Sequence, residues 1–97
     1  MTKEINHYKF YGISQKKLVD TLTTLGEGES YRAGKVITFH IKESALVAIT
    51  EPKEELEPNT STAVVLTDSK YVGGLIKYLS ENIPKCIGGR KITIEKI

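Results

Sequence analysis

Residues 35–50 read KVITFHIKESALVAIT, and this stretch decides the fold. From Lys35 to Lys42, Ile37, Phe39 and Ile41 alternate with Val36, Thr38, His40 and Lys42, the two-residue period of a half-buried strand. Lys42-Glu43-Ser44 is too short for anything but a tight turn. Ala45–Thr50 is again strand-like, so the pair forms a hairpin and the sheet is antiparallel.

Upstream, GEGESYRAG (residues 26–34) is a polar, glycine-rich connection. Before it lies a helix. Ser14 offers a capping hydroxyl, Leu18, Val19, Leu22 and Leu25 fall at helical spacing, and Gly26 stops it. Ile5–Ile13 (INHYKFYGI) is aromatic and β-branched and reads as a strand. Its faces carry Ile5, His7, Lys9 and Tyr11 on one side, and Tyr8 and Phe10 on the other.

Downstream, residues 51–61 hold Pro52, Pro58 and four acids, and form an acidic loop outside any sheet interior. Thr62–Thr67 (TAVVLT) is short and continuously apolar in its middle, the pattern of a central strand or one covered on both faces. Asp68 or Ser69 then starts a helix with Val72, Leu75, Ile76, Leu79 and Ile83 inward, ended by Pro84. Residues 90–97 (RKITIEKI) alternate as a last strand. The order β-α-β-β-β-α-β specifies a single α+β domain over residues 1–97. It is a two-layer sandwich whose mostly antiparallel five-stranded sheet carries two helices on one face. The expected core is Phe10, Leu18, Leu22, Leu25, Ile37, Phe39, Ile41, Leu46, Val64, Leu66, Val72, Leu75, Leu79, Ile92 and Ile94.

Hydrophobic residues make up 39% of the chain and charged residues 27%, a globular composition. The longest apolar runs, Ala45–Ile49 and Ala63–Leu66, are far short of the roughly 20 residues of a membrane span. Met1–Asn6 has no signal-peptide core. A cytoplasmic location without membrane association is therefore the expectation. Net charge is +2; residues 51–57 contribute −3, leaving a mildly basic body at +5.

Catalytic and cofactor motifs are not found. Gly28–Lys35 has one residue too many, and the wrong helix-to-strand context, for a phosphate loop. Cys86, the single cysteine, reads as a small apolar residue, and His7 and His40 have no third ligand at metal spacing. The expectation is a non-enzymatic interaction or regulatory module with no cofactor. Its partner would be a second copy, as a homodimer, or another protein. Two glycines inside a helix cost roughly 1 kcal/mol each relative to alanine. Gly73-Gly74 therefore imply a close approach, either to the sheet or to a second copy, and mark a self-association site. The alternative is a nucleic-acid-binding module. Lys9, Tyr11, His40 and Lys42 on one sheet face, with Arg32 and Lys35 from the 26–35 loop, would meet phosphates and stack bases.

Between Leu18 and Leu79, a helix, a three-strand meander and Leu66-Thr67-Asp68 lead into a helix with Gly74-Leu75-Ile76. This arrangement resembles the second half of Roadblock domains. The resemblance covers about two thirds of the chain, departs at the last strand and carries no site residue over. It implies a dimerising scaffold.

Overall fold

The computed structural model describes residues 3–50 and 59–97. Strand β1 (Lys3–Tyr11) is followed by helix α1 (Gln15–Leu25) and strands β2 (Tyr31–Ala33), β3 (Val36–Ile41), β4 (Ser44–Ile49) and β5 (Thr60–Asp68). A 3₁₀ turn at Ser69–Tyr71 leads into helix α2 (Val72–Cys86), and β6 (Thr93–Lys96) closes the chain. All six strands form one sheet in the order β2-β3-β4-β5-β1-β6, and every neighbouring pair is antiparallel. The α+β class agrees with the sequence, with both helices on one face.

The strand count does not: there are six, not five. β2 lies in the stretch read as a polar connection. It pairs with β3 across a two-residue turn, Gly34-Lys35, with Gly34 at φ +61°. Three residues, all exposed, are too few to show a period. The meander between the helices thus has four strands, where the Roadblock resemblance implies three. The acidic loop expected over 51–61 lies, for 51–58, outside the described residues. Thr60 and Ser61, assigned to that loop, belong to β5.

Helix α1 starts where its cap predicts: the Ser14 hydroxyl accepts the Lys17 N–H at 3.3 Å. Helix α2 runs past Pro84 to Cys86. A proline disfavours helical geometry at the residue before it, but that residue is Ile83, fully buried in the core. Burial overrides the local preference. Behind it, Gly88 and Gly89 at φ +79° and +84° turn the chain toward β6.

One apolar cluster lies between helices and sheet, built from Tyr8, Phe10, Leu18, Leu22, Ile37, Phe39, Leu46, Leu75, Leu79 and Ile83 with their neighbours. On β5 the inward residues are Ser61, Ala63, Val65 and Thr67. Val64 and Leu66, expected in the core, sit on the opposite face. Inside a continuous apolar run nothing in the sequence sets the phase. The register against β1, from Lys3↔Asp68 to Tyr11↔Thr60, sets it.

Pairing of β4 with β5 stops after Val47↔Val64. The next same-face pair would be Ile49 and Thr62. Gln15, 6% exposed, fills that gap. Its Nε2 donates to the carbonyls of Ile49 (2.8 Å) and Thr62 (3.2 Å), and its Oε1 accepts the Thr62 N–H at 2.9 Å. One side-chain amide replaces a rung of the ladder and satisfies partly buried backbone groups that no strand partner reaches.

Candidate interaction surface

Residues directly opposite in an antiparallel pair share a face, so the registers map the sheet surface turned away from the helices. One row runs Tyr31, Thr38, Val47, Val64, His7; the next runs His40, Ala45, Leu66, Ile5. Ile97, whose N–H reaches the His7 carbonyl at 2.8 Å, ends the first row. Val36 and Ile49 face each other on a third. Exposure is 73% for Ile5, 67% for Tyr31 and Ile97, 50% for Ile49, 39% for Val36 and 37% for Leu66. These are the large hydrophobic side chains on the described surface, and the registers gather them on one sheet face.

Along the strands, charges on this face lie away from the two central rows and come as opposites, while Glu27 and Glu43 line a hollow with Lys3 beside His40, Ala45 and Leu66. Lys9 stands across from Glu95, and Lys3 across from Asp68. The two histidines are inside the apolar rows, and His40 meets the Tyr31 ring edge-to-face with centroids 6.1 Å apart. Strand spacing of about 4.8 Å and a rise of about 3.3 Å per residue separate His7 from His40 by roughly 15 Å, too far to act on one substrate atom. The Glu27 carboxylate is engaged by the Lys42 N–H at 3.1 Å. Among the described residues, no group of three or more His, Cys, Asp or Glu could hold a metal ion. None of their helices is long and apolar enough to cross a membrane.

The six groups named for nucleic acid are dispersed. Lys9 and Tyr11 are together, with Nζ 5.3 Å from the ring centroid. His40 is three strands away. Arg32 pairs with Ile37 and so belongs to the helix-side face at the sheet edge, opposite to Tyr31. Lys35 sits in the β2–β3 turn, its carbonyl held by the Thr50 N–H at 2.7 Å. Lys42, expected beside His40, leaves the sheet: at φ +50° it swings to α2, placing Nζ 4.8 Å from the Tyr78 ring centroid.

Gly73 and Gly74 are exposed, and a Cβ built on either meets nothing within 4 Å. A close approach to the sheet does not explain them. Gly74 lines a cleft of about 590 Å³ between the start of α2 and the β3–β4 turn, with Lys42, Tyr71, Tyr78 and Glu81 among its walls. The strand nearest the start of the chain, β1, is interior, and the edges of the sheet are β2 and β6.

The apolar face itself was missed by sequence reading. Its signal was present in ALVAI and AVVL, two runs apolar at every position, as a strand covered on both sides requires. The helices cover one side. No protein-family model, curated protein or solved structure matches the chain.

Proposed function

We propose that this protein is a small non-enzymatic interaction module that works by self-association. One observation carries the reading: the sheet face opposite the helices is apolar along its centre, and among the described residues nothing covers it. Contiguous exposed apolar surface with a polar rim marks protein contact sites, and leaving it in water is unfavourable by about 25 cal/mol per Å². The dispersion of the histidines and the engagement of Glu27 support the non-enzymatic part of the reading.

Sedimentation equilibrium at low and high salt, with and without a mixed oligonucleotide pool, tests it. The expected result is an oligomer that persists at high salt and ignores oligonucleotide. Nucleic-acid binding is the alternative, with the Lys9–Tyr11 pair as its support. A monomer that binds oligonucleotide and releases it with salt, as counterion release demands, overturns the proposal in its favour.

A further inference from the structure

We infer that two copies of the chain stack through their open sheet faces, and that His7 and His40, enclosed between them, make the pair come apart as pH falls. This rests on the self-association reading and specifies its surface, its partner and its control.

Three observations commit the face to a second copy. First, its area fits. Six strands at about 4.8 Å and an average run near 20 Å give roughly 600 Å² per copy, so two copies bury on the order of 1,200 Å², the lower end of stable interfaces. Second, the face is of mixed sign rather than one sign: Lys3/Asp68 and Lys9/Glu95 at its margins are opposites, and Glu27 and Glu43 stand with Lys3 beside His40. A two-fold contact sets identical patches together, which a strongly one-signed face could not do. Third, β4 and β5 carry apolar residues at every position of ALVAI and AVVL, the composition of strands packed on both faces. A second sheet about 10 Å away supplies the missing layer.

The histidines follow from the registers. His7 is opposite Val64, and His40 is opposite Ala45 in the row that ends at Leu66 and Ile5. Any packing that covers those apolar side chains covers both imidazoles. Around His40 are Tyr31 from β2 and, lining the same hollow, Lys3, Glu27 and Glu43. Around His7 are Lys9 on its own strand, Glu95 on β6 and the backbone of Ile97. Burial between two apolar faces disfavours the imidazolium, and Lys9 near His7 and Lys3 near His40 act with it against the neighbouring carboxylates, so the paired state binds fewer protons than the separate copies. Association therefore weakens as pH falls. The limit is about tenfold per histidine per pH unit, with four histidines in the pair.

The test is sedimentation equilibrium of the full chain at pH 7.5 and 5.5, with circular dichroism to establish that each species is folded. Wild type is expected to be a dimer at pH 7.5 and to dissociate at least tenfold more readily at pH 5.5. Leu66→Lys and Ile5→Lys, both on the surface, should be folded monomers at pH 7.5. In His7→Gln and His40→Gln the ratio of the two dissociation constants should fall, and in the double variant approach one. A dimer that survives both lysine variants keeps self-association but overturns this face as the contact. A dimer whose pH ratio is one, or is unchanged by the histidine substitutions, overturns the proton control. A folded wild-type monomer at both pH values removes the self-association reading itself, and this inference with it.

Discussion

Gln15 falls on the apolar stripe of α1, three positions before Leu18 and seven before Leu22, and as a polar residue there it is buried and bonded to two strands. It stands one position after the Ser14 cap, where its side chain reaches back over the sheet at the point where β4 and β5 part. Gln15→Leu keeps the volume and strands the Ile49 carbonyl and both backbone groups of Thr62. At about 1–3 kcal/mol for each unsatisfied buried group, softened by partial access of water, the loss should be about 2–3 kcal/mol, read as a lower urea midpoint. Tyr8 presents a different single-residue effect. Burial, and then the nearby Glu4 carboxylate, push its phenol above the ordinary tyrosine range. A raised folded-state value means stability that is complete below about pH 10, the unfolded value, and is lost as pH rises through the folded one. Tyr8→Phe should flatten the alkaline arm of a stability–pH curve; an unchanged arm would assign it to other groups.

At the scale of elements, local rules were obeyed where packing allowed and overridden where it did not. The β3–β4 turn places Lys42 and Glu43 at φ +50° and +64°, a geometry that two-residue hairpins favour and that Asn-Gly adopts most readily. Replacing Lys42-Glu43 by Asn-Gly should raise stability by about 1 kcal/mol, discounted by the lost contact of Lys42 with Tyr78; the melting temperature is the readout. In α2 the two glycines have free space around them. Gly73→Ala and Gly74→Ala should each stabilise by about 0.5–1 kcal/mol. If a second copy instead packs on this helix, the same variants would weaken the oligomer in sedimentation. Pro84 shows the reverse balance, a helix breaker tolerated because Ile83 is anchored in the core.

At the scale of the whole molecule, the sheet has one face under two helices and one that no described residue covers. A chain that self-associates is stabilised by mass action, so its melting temperature should rise with protein concentration. Leu66→Lys should abolish that dependence, and a concentration-independent wild type would contradict the proposed function. Part of this surface was legible in advance. Alternation placed Ile5, His7, Lys9 and Tyr11 together on β1, and Val36, Thr38 and His40 together on β3, as found. Val64 and Leu66 were not legible, since a run apolar at every position has no phase of its own. Nor was the departure of Lys42, which depends on the turn's positive φ angles.

By itself the sequence determined the two helices and five of the six strands, the cap and buried face of α1, the β3–β4 hairpin and the α+β class, since each rests on residues within a few positions of one another. Tertiary structure alone decided that β5 lies between β4 and β1, that a three-residue β2 extends the sheet, that Gln15 replaces a ladder rung and that Leu66 faces outward. Those outcomes rest on hydrogen bonds between segments tens of residues apart. Backbone groups are the same in every residue, so such pairings leave little local trace in the sequence.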